Sequence, residues 1–248
     1  MINSREKVAL DSKIGNITDK LSLYMVTLRG EYLSLDSSYS NNLEISIVPL
    51  QGGKEIVIPV NYCGCFQKLF LGDFNGDGKA EIMLRGRFGG ADGFEIFSIY
   101  DYKNGELKEM FNQNIFMEKY EFKSRYLDNY KVGVDSIPLK KKWSIDISYK
   151  SKNYLKLTYD DKGKVTGEGI PAVSPINSAY PINDIHQGCY NLFLRQKIID
   201  IANEQVIGVV ESFVSLKDNN IIIYNAGVST YSENMDNMTK KMIENQDI

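Results

Sequence analysis

Three carboxylates and one amide are concentrated in a short stretch of this chain. Asp73, Asn75, Asp77 and Glu81 follow the pattern D-x-N-x-D-G-x-x-E. Calcium prefers oxygen ligands, and alternate positions of a tight loop face its centre. The spacing therefore predicts a calcium site in which these four side chains and the backbone carbonyl of Lys79 are the ligands.

The flanking residues distinguish this loop from an EF-hand. An EF-hand needs a glutamate at its twelfth position, and counting from Asp73 that position is Leu84. The apolar runs 69–71 and 82–84 are typical of strands, and Gly76 and Gly78 permit the sharp turns of a strand-to-strand loop. The alternative is a hairpin in which the same side chains make Asx turns and hold no ion.

The run 71–82 resembles the FG-GAP or VCBS repeat, and residues of roughly 66–111 fit that layout, with a Gly-rich turn at 89–93 before a strand at 94–100. The resemblance implies a calcium-bearing blade of an integrin-like β-propeller. The whole chain also resembles uncharacterised VCBS-repeat-containing proteins of spore-forming Gram-positive bacteria. A weaker copy at 14–20 has lost carboxylates and a glycine, and whether it binds metal stays open.

The elements that must position the loop are mostly strands. Apolar and polar residues alternate with a period of two, which is typical of half-buried strands. We therefore predict an all-β, mainly antiparallel fold, built of β-propeller-like blades or a related meander. A minor helix is expected near 191–202, and a second one is possible at the C-terminus. The alternating runs are 43–47, 56–60, 119–123, 130–135, 143–149 and 155–159.

The domain organisation predicted from the sequence is simple. Residues 1–232 are expected to form a single β-rich domain, and 233–248 a tail or short helix. The segment 167–184 contains Pro171, Pro175 and Pro181 with few strand signals. It is interpreted as loop-like and is the best candidate for an internal boundary.

Composition excludes several classes of function. The 29 basic and 32 acidic residues give a net charge of −3, which is too near neutral to favour nucleic acid as a partner. The only histidine, His186, rules out a His-rich zinc site. No apolar run is long enough for a transmembrane segment. The N-terminus lacks the apolar core of a signal peptide, so the protein is expected to be cytoplasmic or spore-associated, or secreted with its leader removed.

These observations favour a non-enzymatic, calcium-binding β-protein that acts as an interaction module for a protein or glycan partner. One alternative is a carbohydrate-active protein, either lectin-like or a glycosidase that uses two acids. Another is an assembly component of a spore or cell surface. No motif in the chain defines a reaction, and no catalytic residue is predicted.

Overall fold

The computed structural model describes residues 6–34, 36–88, 94–167, 169–185, 188–200 and 205–230. Strands dominate these residues, and the prediction of an all-β fold is confirmed. The elements, in chain order, are β1 (Val8–Gly15), β2 (Tyr24–Tyr32), β3 (Tyr39–Pro49), β4 (Ile56–Pro59), β5 (Gly64–Gly72), β6 (Glu81–Arg87), β7 (Glu95–Lys103), β8 (Glu106–Asn112), α1 (Gln113–Lys119), β9 (Lys123–Leu127), β10 (Lys131–Ser136), β11 (Lys141–Asp146), α2 (Lys152–Leu155), β12 (Pro171–Asp184), β13 (Cys189–Asp200), β14 (Gln205–Ser215), a 3₁₀ turn (Lys217–Asn219) and β15 (Ile222–Thr230).

An eight-stranded sheet carries the candidate loop. Its strands run in the order β1-β2-β3-β5-β6-β7-β8, with β4 paired to β3, and each pairing is antiparallel. One face of this sheet is apolar because its strands alternate as the sequence predicts. Fully buried side chains such as Val26, Ile45, Ile82 and Leu84 belong to one apolar cluster. This core fixes the hairpin β5–β6 in place.

Two smaller sheets follow, one with the order β11-β10-β9 and one with the order β12-β13-β14-β15. The chain divides into two compact units. Unit 1 comprises Met1–Phe116, Asn177–Leu194 and Phe213–Tyr224, and unit 2 comprises Met117–Ile176, Arg195–Ser212 and Asn225–Ile248. Strands β12 to β15 therefore contribute residues to both units. The predicted single domain 1–232 stays a prediction.

The helix predicted near 191–202 is wrong, because residues 189–200 form strand β13. Every second side chain from Leu192 to Asp200 is buried, but Gln196 and Asp200 are polar and hide this alternation in the sequence. Burial of Gln196 is made possible by β12, since its side-chain nitrogen donates to the carbonyl oxygen of Ser174 at 3.0 Å.

The loop-like interpretation of 167–184 is also wrong. Residues 171–184 form the 14-residue strand β12, although they include Pro171, Pro175 and Pro181. Proline cannot donate to a strand ladder, so it is confined to edge strands, first strand positions or bulges. β12 stands at the end of the strand order of its sheet, and Pro171 is its first residue.

Two short alternating runs lie almost entirely outside strands, so the strand prediction is wrong there. Residues 119–123 run from the last residue of α1 to the first residue of β9, and 155–159 begin at the last residue of the short helix α2. The Ser151 side chain caps α2 by accepting from the Tyr154 N–H, and Leu157 beyond it is 59% exposed. Five-residue alternation does not separate a strand from a capped turn.

Several predictions lie outside the described residues: the Gly-rich turn at 89–93, His186, and the tail or helix at 233–248. Within the residues that the structure describes, none of the helices has the length and apolar character needed to span a membrane.

Candidate metal centre

The predicted calcium loop joins two antiparallel strands, as its flanks indicate. Residues 73–80 connect β5 to β6, and Gly72 pairs with Glu81 where the loop closes. Gly76 and Gly78 both adopt positive φ, 83° and 85°, a region that side chains with a Cβ rarely occupy. The two glycines let the chain reverse tightly enough to turn its acidic side chains toward one another.

Asp73, Asp77 and Glu81 converge in this loop. Each offers a carboxylate oxygen, and these oxygens all lie within 4.8 Å of one another. Oxygens bound to one calcium ion are at most about 5 Å apart, twice the usual bond length, so the spacing fits a shared cation. The three acids differ in their exposure to solvent. Asp77 is exposed, Asp73 is half-buried and Glu81 is only 1% exposed.

The same carboxylates hold the backbone of the loop. Asp73 accepts hydrogen bonds from the N–H of Gly76 at 2.6 Å and of Gly78 at 2.7 Å. Glu81 accepts from the N–H of Phe74 at 2.7 Å and of Asn75 at 3.1 Å. An ionised carboxylate has about four lone-pair sites, so these contacts leave acceptor capacity for a cation.

Asn75 and Lys79 occupy the positions between the acids. The Asn75 amide nitrogen donates to Glu81 at 2.9 Å, and its oxygen accepts from the Asp77 N–H at 2.8 Å. The Lys79 ammonium pairs with Asp77 at 3.0 Å. The carboxylates of Asp73, Asp77 and Glu81 thus lie close together, while Asn75 holds Glu81 by a hydrogen bond. The Lys79 carbonyl and the Asn75 oxygen stay predicted ligands.

The electrostatics of the loop show how the three acids differ. Burial raises the pKa of Glu81 to about 8, and the charges of Asp77 and Asp73 add to the rise, although its backbone hydrogen bonds oppose it. Burial also raises the pKa of Asp77, but hydrogen bonds and the charge of Lys79 outweigh it and leave the pKa of Asp77 lowered. Burial makes ionisation of Glu81 unfavourable, and a bound cation would stabilise the ionised carboxylate.

Sequence reasoning missed the residues that support the loop from elsewhere in unit 1. The Asn16 side chain donates to the carbonyl oxygen of Gly78 at 3.1 Å, and the Lys20 side chain lies against Gly78. The Tyr190 N–H donates to the carbonyl oxygen of Asp73 at 2.6 Å, and its ring lies 5.1 Å from that of Phe70. The weak copy at 14–20 is a sequence signal that could have indicated the contact between Asn16 and Gly78. No sequence signal indicates that Tyr190 contacts this loop.

The site and its setting define an antiparallel β-protein with an acidic hairpin loop. A family model described as the YybI C-terminal domain matches residues 120–229, which is less than half of the chain. The chain is 29% identical over 154 residues to the uncharacterized protein YybI of Bacillus subtilis (strain 168), a match that covers 61% of this chain and 58% of that relative. These findings overturn the resemblance to FG-GAP or VCBS repeats, including the VCBS-repeat-containing group.

Solved structures that resemble the chain do so at low similarity. They include a Bacillus licheniformis rhamnogalacturonan lyase PL11, with a TM-score of 0.38, 15% identity, and coverage of 92% of this chain and 35% of that one. They also include the exotype rhamnogalacturonan lyase YesX, with a TM-score of 0.35, 15% identity, and coverage of 90% and 33%. Likeness at this level does not transfer the activity of those proteins to this chain.

Proposed function

We propose that residues 73–81 form a calcium site and that the ion has a structural role in a protein that binds rather than catalyses. The observation that carries the proposal is the convergence of three carboxylates within 4.8 Å on one hairpin loop. Three ionised carboxylates at that spacing would repel one another, which contributes to the raised pKa of Glu81, and a divalent cation between them would replace the repulsion by attraction. The sequence spacing and the loop geometry agree on three of the ligands, Asp73, Asp77 and Glu81.

A structural role is supported by what the carboxylates already do. Asp73 and Glu81 each accept backbone N–H groups of their own loop, so an ion bound to them would tighten a turn that is already formed. The hairpin also meets the N–H of Tyr190 through the carbonyl of Asp73. Stiffening the loop would therefore stiffen the attachment of Tyr190 to this hairpin.

The proposal is tested by thermal unfolding with EDTA and with millimolar calcium. A ligand at 100 times its dissociation constant adds about 2.7 kcal/mol to the free energy of unfolding, so we expect the Tm to rise by several degrees. Asp77→Asn removes one charge and keeps an oxygen that can accept from the Lys79 N–H, so it should fold and lose most of the rise.

The matched control is Asp19→Asn in the loop between β1 and β2. Asp19 also accepts backbone N–H groups, those of Leu21 and Ser22, but it lies outside the carboxylate cluster. This variant should keep the calcium-dependent rise in Tm. The proposal is wrong if wild-type protein shows no rise, or if Asp19→Asn loses the rise as fully as Asp77→Asn does.

A further inference from the structure

Two surface grooves of unit 1 meet at an irregularity in strand β5. One has a volume of about 590 Å³ and is lined by residues of β1, β5, β6 and β7. The other has a volume of about 460 Å³. Phe66 and Lys68 line both, so the two grooves adjoin, and we name them together the bulge groove. Openings of this size accommodate small-molecule or oligomeric ligands.

The irregularity is a β-bulge. Cys65 pairs with Arg87 and Lys68 pairs with Arg85, so Phe66 and Gln67 stand opposite the single residue Gly86. Phe66 has a φ of 53°, which is unusual for a residue with a bulky side chain, and the residue is 63% exposed. Bulges reorient side chains beside functional sites, and strained backbone is concentrated there. The bulge thus presents an aromatic ring to solvent instead of burying it.

Gln67 supplies polar groups without partners. Its side chain lines the smaller groove and is 4% exposed, and among the residues that the structure describes neither its amide nitrogen nor its oxygen has a hydrogen-bond partner. Gly86 leaves space for this amide, because a Cβ there would stand 2.5 Å from the Gln67 oxygen. A buried amide without partners destabilises a folded protein, so it indicates a group kept for a ligand.

The larger groove carries surplus positive charge in a chain whose net charge is −3. Four basic and two acidic residues line it. Each acid forms a salt bridge with one base, and the charge of Arg87 also acts on Glu95 without a salt bridge. Within the described ranges, the remaining bases, Lys68 and Arg87, form no salt bridge. The pairs are Lys13 with Asp11 at 3.0 Å and Arg85 with Glu95 at 2.6 Å.

The smaller groove adds hydroxyl groups beside Gln67. Ser37 and Ser38 line it, together with one acid, Asp36. An occupant of both grooves would therefore meet an aromatic face, amide and hydroxyl groups, the carboxylate of Asp36, and two cations that form no salt bridge. A saccharide that carries carboxylates complements the aromatic, polar and cationic features. The apolar C–H face of its ring packs on an aromatic side chain, its hydroxyls form hydrogen bonds, and its acid groups pair with Arg and Lys.

We propose that the bulge groove binds an acidic saccharide. Its ring lies on Phe66, its carboxylates contact Lys68 and Arg87, and its hydroxyls exchange hydrogen bonds with Gln67 once that side chain turns toward the ligand. Nothing in this arrangement requires an ion at residues 73–81. The saccharide proposal and the calcium proposal are therefore independent, and each can fail without the other.

The test is affinity electrophoresis of the full chain through gels that contain polygalacturonate, with EDTA present so that calcium neither loads the loop nor cross-links the polymer. Wild-type protein should be retarded, and Phe66→Ala should weaken binding by about tenfold, the effect of about 1.4 kcal/mol. Phe88→Ala is the matched control, because Phe88 is 64% exposed and lines neither groove. It should bind as wild-type protein does.

Gln67→Met separates a ligand-binding role from a structural one. Methionine has a similar length without the unpartnered amide, so the free protein should unfold at the same Tm or a higher one while retardation weakens. Absence of retardation of wild-type protein would overturn the proposal. So would equal retardation by neutral dextran, equal retardation by polyglutamate, equal loss in Phe88→Ala, or full retention of binding in Gln67→Met.

Discussion

Two loops of unit 1 begin alike and then differ. β1 ends at Gly15 and β5 ends at Gly72, and the residue two positions further on, Ile17 or Phe74, is fully buried in each case. After Gly72 comes Asp73, whose carboxylate turns back onto its own loop. After Gly15 comes Asn16, whose amide reaches across to the carbonyl oxygen of Gly78.

The difference shows how one position changes what a loop does. An aspartate accepts hydrogen bonds and can ligate a cation, so the loop at 73–80 gathers charge at its own centre. An asparagine side chain also donates, as that of Asn16 does to the Gly78 oxygen, and the backbone carbonyl oxygen of Asn16 accepts from the Ala80 N–H at 2.9 Å. The loop at 16–23 therefore supports its neighbour instead of repeating its site, although the two sequences suggest repeats.

The two loops should differ most in how much stability the protein loses when a carboxylate is removed from each. Asp73→Ala leaves the N–H groups of Gly76 and Gly78 without their acceptor, and we expect the free energy of unfolding in EDTA to fall by about 2–3 kcal/mol. Asp19→Ala, in the other loop, removes an exposed carboxylate and should cost clearly less. Urea denaturation measures both, and equal losses would remove the distinction drawn between the loops.

The next effect is a pH dependence that belongs to one loop alone. The pKa of Glu81 is raised to about 8 from a usual 4.5, so the folded state binds more protons than the unfolded state between these values. In EDTA, stability should therefore fall as pH rises from about 5 to about 9, by a few kcal/mol at most. Urea midpoints across this range measure the fall.

Two comparisons isolate Glu81 in that experiment. Glu81→Gln should flatten the profile without affecting Glu95, whose pKa burial also raises. Saturating calcium should flatten it as well, because an ion favours the ionised carboxylate. A profile that stays as steep in Glu81→Gln as in wild-type protein would assign the pH dependence to another group.

Gly78→Ala should act at the place where the two loops touch. Gly78 has a φ of 85°, and a Cβ there would stand 2.2 Å from the Lys20 Cε. We expect a loss of about 1–2 kcal/mol from the left-handed backbone, together with displacement of Lys20. Gly52→Ala is matched in φ, at 90°, and meets no atom within 4 Å. Denaturation midpoints give the stability loss of each variant. The amount by which Gly78→Ala loses more than Gly52→Ala measures the clash with Lys20.

The smallest expected effect comes from making the loops alike. Asn16→Asp gives both loops aspartate after their glycine, but the donor to the Gly78 oxygen is lost, and about 1 kcal/mol of stability should go with it. Calcium titration calorimetry should not gain a second site, because the loop at 16–23 contains only one other carboxylate, Asp19, and that group already accepts from the N–H groups of Leu21 and Ser22. A second binding event would show that the first residue alone decides the site.

Local pattern predicted the hairpin around the loop well. The apolar flanks 69–71 and 82–84 lie in β5 and β6, and the three acids converge as their spacing requires. These features depend on residues within a few positions of one another. The partners from outside the hairpin, Asn16 and Tyr190, depend on how strands distant in sequence are brought together, which periodicity does not encode.

The elements that were mispredicted share a physical cause. β13 buries Gln196 and Asp200, and β12 contains three prolines, so each violates the composition expected of a strand. Each violation is accommodated by the sheet: Gln196 bonds to Ser174, and β12 stands at the end of the strand order. The bulge at Phe66 was missed for a similar reason, since its partner strand decides which residue is extra.

The way each unit is assembled from the chain has a consequence for its synthesis. Unit 1 needs Asn177–Leu194 and Phe213–Tyr224 in addition to its long N-terminal stretch, and unit 2 likewise draws on three separate stretches. A ribosome makes these stretches in order, so neither unit is complete until the last strand has emerged. Contacts between such distant parts of a chain form slowly. The hairpin β5–β6, with all three acids close in sequence, is in contrast a part that can form early during translation.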